Sequence, residues 1–179
     1  MLSVTYQLTE EEYFDYNYFT AWTSPDRRQY RFFYYLKVLA LYAVVSGLYI
    51  FSNANRQPLI DISVFGVIAI IYFMMVPYLI KRSVRRRVKH ILALPENKSI
   101  LDSCEVILTD TSIIDKDSES ETKYTWEAIV KKAETPTSYF LYTNSHHAVV
   151  IPKKCLKTEA DKRELQRLFD ANLPLGSDL

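Results

Sequence analysis

The stretch ISVFGVIAIIYFMMVPYLI, residues 62–80, runs for nineteen residues without a charged side chain. A helix that crosses a bilayer needs about 20 predominantly apolar residues. A core helix of a small soluble domain would carry a polar face, and this stretch has none. Residues 62–80 therefore predict a membrane-spanning helix.

A second apolar stretch, FFYYLKVLALYAVVSGLYIFS, precedes it at residues 32–52. Its one charged residue is Lys37, whose long side chain can reach the nearer headgroups. The link NANRQP, residues 53–58, is so short that the two spans must run antiparallel, so residues 32–80 predict a transmembrane hairpin. Small residues on the two spans predict close packing between them: Ala43, Gly47, Ser63 and Gly66.

A block of basic residues, KRSVRRRVKH, follows the second span at residues 81–90. Its six cationic side chains are Lys81, Arg82, Arg85, Arg86, Arg87 and Lys89. Basic residues also flank the start of the first span, whereas the link has only Arg56. Cytoplasmic segments carry an excess of Lys and Arg, so both chain ends are predicted in the cytoplasm.

The basic block has two further interpretations besides setting the orientation. Val84, Val88, Ile91 and Leu92 recur at helical spacing, so residues 81–93 are expected to form a juxtamembrane helix that lies along the membrane surface. Its six cations are then candidate lipid-headgroup ligands, each contributing about 1 kcal/mol near an anionic leaflet. Nucleic acid is not an expected partner, because the whole chain carries a net charge of only +1.

The first 31 residues predict a cytoplasmic strand followed by an amphipathic helix. LSVTYQL, residues 2–8, alternates apolar and polar side chains, which is typical of a half-buried strand. Thr9 and Glu12 have the spacing of a capping box, which opens a helix through a run of aromatic residues to Trp22. Ser24 followed by Pro25 predicts a second helix start.

After a linker that ends near residue 101, residues 102–175 predict a second cytoplasmic segment rich in short strands. The expected strands are Cys104–Thr109, Ser112–Lys116, Thr122–Trp126, Ala128–Ala133, Tyr139–Thr143 and Ala148–Ile151. A final helix is expected from a capping box at Thr158 and Asp161 to Pro174. This order predicts an α+β fold, a small β-barrel or rolled sheet closed by a C-terminal helix and completed by strand 2–8.

The polar residues offer no combination expected for catalysis, a cofactor or a metal. His146 and His147 are adjacent on a turn, and Ser145 lacks a carboxylate at triad spacing. The alternating acids that start at Asp115 lack the glycine and the final glutamate of a calcium loop. Cys104 and Cys155 are expected as free thiols, with a disulfide between them left open. Lys131, Lys132, Lys153 and Lys154 form two basic pairs that would give a weak anion site if they met.

Three segments resemble the YcxB-like family of bacterial membrane proteins: LTEEEYFDYNYFTAW (8–22), YTWEAIVKKAETPTSYFLYT (124–143) and AVVIPKK (148–154). The resemblance implies a C-terminal domain of the bacterial pleckstrin-homology-like type, a bent barrel capped by a helix. It implies no catalytic residues. The hairpins that often bind phosphoinositides in pleckstrin-homology folds are acidic here, which argues against that ligand.

These features predict a non-enzymatic module in the bacterial inner membrane, multi-pass, that binds a protein or peptide partner at the inner leaflet. Membrane lipids are further expected partners, and self-association with a second copy of the chain is left open. One alternative is an anionic-lipid sensor that uses the basic juxtamembrane helix. Another is an accessory subunit of a membrane enzyme or transporter.

Overall fold

The computed structural model describes residues 1–52 and 57–173. In these ranges the chain order is β1 Leu2–Gln7, α1 Glu10–Tyr18, α2 Arg28–Ser52, α3 Pro58–Ala93, β2 Ser103–Leu108, β3 Ser112–Lys116, β4 Glu121–Thr125, β5 Lys131–Glu134, β6 Ser138–Tyr142, β7 Ala148–Pro152 and α4 Glu159–Asn172. Two long apolar helices are thus combined with antiparallel sheets and a C-terminal helix, which confirms the predicted α+β class.

The helices α2 and α3 are long and apolar enough to cross a membrane, judged by length and composition. Their large side chains face outward: Leu41, Ile62 and Met74 are 67%, 60% and 77% exposed. A water-soluble surface rarely carries a continuous apolar area of this extent. The predicted pair of apolar spans is confirmed at this level, while residues 53–56 of the predicted link, including Arg56, lie outside the described residues.

Aromatic side chains make the contacts between α2 and α3. Tyr42 donates its hydroxyl hydrogen to the carbonyl of Phe65 at 2.8 Å, and the rings of Tyr35 and Phe73 have centroids 5.4 Å apart. A Cβ atom added at Gly47 or Gly66 would meet no atom within 4 Å. The predicted close packing is therefore wrong at both glycines, because open space and not the other helix faces each of them.

The seven strands form two antiparallel sheets, one in the order β1-β2-β3-β4 and one in the order β5-β6-β7. Strand β1 pairs with β2, with Leu2 opposite Leu108 and Gln7 opposite Ser103. Burial alternates along β1, because its apolar side chains enter the core and its polar ones do not. The helices α1, α2 and α3 therefore lie, in sequence, between the first two strands of one sheet. In the part of the chain described, no strand pairing joins the two sheets.

The main core combines side chains from both sheets and from α4. Leu108 and Ile113 of the first sheet, Ile151 of the second and Leu168 of α4 are all fully buried in it. The capping box that opens α4 at Thr158 and Asp161 is present as predicted. The predicted stop at Pro174 lies outside the described residues.

The capping box at Thr9 and Glu12 is also present, but the helix it opens ends at Tyr18. The expected helical course to Trp22 is replaced by a π-helical turn, Phe19–Thr23. Ser24 makes no side-chain cap bond, and its buried hydroxyl has no partner among the described residues. A 3₁₀ turn, Pro25–Arg27, then leads into α2.

One prediction about the strand region is corrected. The expected strand Ala128–Ala133 begins only at Lys131, because Trp126–Ala128 forms a 3₁₀ turn. The Trp126 indole is buried and donates to the carbonyl of Thr109 at 2.9 Å, which holds the chain in that turn. Cys104 and Cys155 are free thiols, so the disulfide left open by the sequence is not formed.

Candidate functional site

The six predicted headgroup ligands lie on the last third of α3, which runs without interruption from Pro58 to Ala93. At about 1.5 Å per residue, residues 81–93 extend the apolar part of the helix by about 20 Å. They continue α3 and do not form a separate helix, while their contact with the membrane surface stays a prediction. The chain leaves α3 only at Leu94, where a 3₁₀ turn begins at Pro95.

One face of the basic block packs on α1. Its three cations are spaced four residues apart: Lys81, Arg85 and Lys89. The Nη2 atom of Arg85 lies 2.6 Å from Oε1 of Glu11, and Nζ of Lys89 lies 3.9 Å from a carboxylate oxygen of Glu10. The Arg85 guanidinium also lies 4.4 Å above the ring of Phe14, which is fully buried. Half of the block therefore attaches α1 to α3.

The other half of the block, Arg82, Arg86 and Arg87, is exposed to solvent. None of the three has a carboxylate at ion-pair distance within the described ranges. A surface cavity of about 390 Å³, lined by Tyr78, Lys81, Arg82 and Arg85, opens at the junction of the apolar and basic parts of α3. The junction therefore combines an aromatic ring with three cationic side chains around one surface cavity.

A larger groove of about 410 Å³ lies between the two sheets, beside α1. Its aromatic lining comes from Tyr6, Tyr13 and Tyr16, and its carboxylates from Asp102, Asp115 and Asp117. Leu8 and Ile100 add apolar surface, and the exposed turn histidines His146 and His147 form part of the rim. We call this feature the inter-sheet groove.

Tyrosine hydroxyls donate to two backbone carbonyls on one side of the inter-sheet groove, one in the edge strand β7 and one in the turn before it. Tyr6 donates to the carbonyl of Val150, and Tyr16 donates to the carbonyl of His146 at 2.6 Å. Burial raises the pKa of Tyr16 to about 12, so its hydroxyl stays protonated and remains a donor. Because these carbonyls already have donors, the groove is suited to side chains of a ligand rather than to an added strand.

The carboxylates of the inter-sheet groove differ in their electrostatics. Burial raises the pKa of Asp115, and the nearby charge of Asp117 adds to this effect. Asp117 instead accepts backbone hydrogen bonds from Glu119 at 2.8 Å and from Ser120 at 2.6 Å, which lower its pKa. A cation that enters the groove would relieve the repulsion between the two carboxylates.

The inter-sheet groove is fixed relative to α3 because α1 contacts both. The Tyr16 ring packs edge-on against Phe140 of β6 at 5.5 Å, while Phe14 on the opposite face lies under Arg85 of α3. Lys154, just after β7, lies 2.7 Å from Glu12 of α1. The second sheet, α1 and α3 are thus three successive layers.

The two predicted basic pairs do not meet to form an anion site. Lys153 bonds Glu134, Lys154 bonds Glu12 and Lys131 bonds Asp26. Lys132 is buried, with its ammonium 5.0 Å above the ring of Phe169. Each of the four lysines therefore contacts a different side chain, and they do not converge on one ligand position.

The sequence alone does not identify the groove as a site, although His146, His147 and the acids from Asp115 onward stand out in it. The sequence pattern predicts Tyr6 only as a buried strand residue, and Tyr13 and Tyr16 only as part of an aromatic helix. A useful signal was the high tyrosine content of residues 6–18 beside the acidic hairpin 115–121. Their juxtaposition depends on pairing between distant parts of the chain.

Residues 108–169 match the family model described as YcxB-like protein. The resemblance to the YcxB-like family is confirmed over this part of the chain, which extends from the end of β2 to the last turns of α4. No curated protein and no solved structure gives a match to the chain.

Proposed function

We propose that this protein is a membrane-anchored interaction module of the bacterial inner membrane, with no catalytic activity of its own. The helices α2 and α3 cross the bilayer as a hairpin, and both chain ends lie in the cytoplasm. The exposed apolar surface of both helices and the basic residues at their common end support this arrangement.

The cytoplasmic part is proposed to be one discontinuous pleckstrin-homology-like domain, residues 102–175 completed by strand 2–8. Two antiparallel sheets of four and three strands share a core with a C-terminal helix, as expected for a bent barrel of this type. The membrane hairpin is then an insertion between the first two strands.

The partner is proposed to be a basic peptide segment of another protein, bound in the inter-sheet groove. The observation that carries this proposal is the combination of three carboxylates with three tyrosine rings and apolar side chains in one groove. Carboxylates suit Lys and Arg side chains, and tyrosine faces also attract these cations. Anchoring keeps the groove near the inner leaflet and raises the local concentration of a membrane-bound partner.

Peptide binding to the detergent-solubilised full chain tests this function. We expect a fluorescent peptide that alternates Arg with Leu to bind, as measured by anisotropy, and the same peptide with Glu in place of Arg not to bind. The double variant Asp102→Asn/Asp117→Asn should weaken binding about tenfold, the effect of roughly 1.4 kcal/mol.

Glu119→Gln is the matched control, since it removes a nearby carboxylate outside the groove. Equal binding of both peptides would contradict the proposal. So would equal loss of binding in the control and the groove variant.

A second candidate function is the sensing of anionic lipid by the basic block. It is supported by Arg82, Arg86 and Arg87, which have no ion pair in the part of the chain described, and by the cavity at Tyr78. In nanodiscs, replacing Arg82, Arg86 and Arg87 with Gln should reduce enrichment of anionic lipid around the protein, and salt should weaken the wild-type effect. Unchanged enrichment would remove this candidate and leave the block as an orientation signal.

A further inference from the structure

A separate polar cleft of about 330 Å³ lies between the segment Thr20–Arg27 and the turn that joins β6 to β7. It is lined by Thr20, Asp26, Arg27, Val130, Lys131, Asn144, Ser145 and His146. We propose that this cleft binds the phosphate of an anionic phospholipid headgroup. The site is distinct from the basic block of α3 and from the inter-sheet groove, and it rests on the proposed membrane-spanning hairpin.

Arg27 is held in place but retains donors for a ligand. Its Nε donates to the carbonyl of Thr20 at 3.1 Å. Its two terminal amino groups have no hydrogen-bond partner among residues 1–52 and 57–173. A guanidinium presents several donors in a rigid plane, which suits the oxygens of a phosphate.

Asn144 presents a second donor from the opposite side of the cleft. Its Oδ1 accepts the backbone N–H groups of His146 at 2.9 Å and of His147 at 2.8 Å. This assignment leaves the side-chain NH₂ as a donor, and no partner for it exists within the described chain. The hydroxyl of Ser145 follows directly on the same turn.

The charges around the cleft suit a ligand with one negative charge. Lys131 forms an ion pair with Asp26, so these two side chains largely neutralise each other. Lys131 also lies 4.4 Å above the ring of Tyr142, whose hydroxyl is 2.7 Å from that of Thr20. These contacts form a fixed wall beside Arg27, whose charge remains for a phosphate diester.

The position of the cleft identifies lipid as the source of the phosphate. Arg27 is followed at once by α2, whose side chains Tyr30, Phe32 and Phe33 are all more than half exposed. Phe33 is about 9 Å further along the helix. The headgroup layer is about 5–8 Å thick on each side of the bilayer, so Phe33 would reach the upper acyl chains when Arg27 contacts a phosphate. Arg31 donates to the carbonyls of Trp22 and Ser24, which ties the wall of the cleft to α2.

The test uses native mass spectrometry of the detergent-solubilised full chain with added phosphatidylglycerol or phosphatidylcholine. We expect phosphatidylglycerol to bind more tightly, because the choline ammonium would lie beside Arg27. Arg27→Gln should weaken the tightest phosphatidylglycerol site about tenfold, as expected for a charge-assisted hydrogen bond. The control Arg28→Gln removes the same charge one residue later, outside the cleft lining, and should leave that site unchanged.

A second variant, Ser145→Glu, keeps the test valid if Arg27→Gln does not fold. It adds a negative charge to an exposed turn, and it should also weaken the site. The triple glutamine variant of Arg82, Arg86 and Arg87 should leave the site intact. Loss of the site in that variant, or unchanged binding in both cleft variants, would overturn the inference.

Inorganic phosphate serves as the competitor that separates the two sources of the ligand. Inorganic phosphate is added at about 10 mM, on the order of thousands of times the protein concentration. We expect it not to displace the lipid, because the acyl chains also contribute to binding through α2. Displacement would show that the cleft takes free phosphate and would overturn the lipid assignment. Alkaline extraction of membranes tests the membrane anchor separately. If the protein stays in the membrane but binds both lipids equally, the membrane-spanning hairpin stands and only the lipid site in the cleft is refuted.

Discussion

At the residue scale, two carboxylates near the end of β3 have pKa values displaced in opposite directions. Burial raises the pKa of Asp115, whereas backbone N–H groups lower the pKa of Asp117. Folding therefore disfavours the ionised form of Asp115 and favours the ionised form of Asp117. Their responses to pH should differ in sign.

Asp115→Asn is expected to raise the melting temperature at pH 7. The folded-state pKa lies above the ordinary value of 3.8, so ionisation costs stability as the pH rises through this range. The gain should be absent well below pH 4 and complete once the pH exceeds the raised pKa. Thermal unfolding of the detergent-solubilised protein at a series of pH values measures it.

Asp117→Asn is the matched opposite case. The contribution of Asp117 is present above the ordinary pKa of 3.8 and is lost as the pH falls through its lowered pKa. Asparagine keeps an acceptor for the turn but removes the charge, so we expect a lower melting temperature at pH 7 and a difference that disappears in acid. The same sign for both variants at pH 7 would contradict this electrostatic description.

Single residues also show where sequence reasoning stops. The alternation in residues 2–8 correctly predicts that the side chain of Tyr6 is buried. It contains no information that the hydroxyl donates to Val150, a residue 144 positions away. Periodicity reports which face of an element is buried, whereas the partner of a buried polar atom depends on the whole fold.

At the element scale, α1 determines how the sheets are held against α3. Phe14→Ala should lower the free energy of unfolding by about 3–5 kcal/mol, because it removes a fully buried ring that stacks on Tyr18 and lies under Arg85. Hydrogen exchange should show faster exchange in α1 than in β2 and β3. Tyr13→Ala, at a half-buried position of the same helix, should lower the free energy of unfolding by clearly less.

Strand β1 offers a second test at this scale. The double variant Leu2→Ala/Val4→Ala removes two core side chains and is expected to lower the free energy of unfolding by about 3 kcal/mol or more. The variant Ser3→Ala/Thr5→Ala changes the outer face of the same strand and should have an effect within about 1 kcal/mol. Equal effects would show that β1 does not belong to the core.

Most elements could be predicted from local signals, and the exceptions have physical causes. The capping boxes at Thr9 and Thr158 identify two helix starts correctly. The strand expected from Ala128 is shortened because Trp126 buries its indole and bonds Thr109, a tertiary contact that outweighs local strand propensity. The basic block continues α3 because α1 neutralises part of its charge.

At the scale of the whole molecule, the proposed hairpin makes a direct prediction about orientation. With both native cysteines replaced by serine, a single cysteine at Ser3 or Ser120 should react with a membrane-impermeant maleimide only after the cells are opened. A cysteine at Gln57, within the link, should react in intact spheroplasts. Labelling of Ser3 and Ser120 variants in intact spheroplasts would reverse the orientation and contradict the proposal.

The overall class could be predicted from the sequence because two long apolar stretches and a series of short strands are strong, separate signals. The inter-sheet groove and the cleft at Arg27 could not, because each combines residues from segments more than a hundred positions apart. Tyr16 and His146, for example, lie 130 positions apart in the chain. Such sites arise from the way α1 and the segment after it return to the second sheet.

The placement of the hairpin between β1 and β2 has a consequence for biosynthesis. Strand β1 leaves the ribosome before its partner β2, which follows only about 95 residues later, a delay of about 5–20 s at bacterial elongation rates. Until then, Leu2, Val4 and Tyr6 have no strand to pair with, and in the proposed topology the hairpin enters the translocon during this interval. Completion of the first sheet would then follow insertion, and a chain that fails to insert would expose the unpaired apolar side chains of β1 to chaperones and proteases.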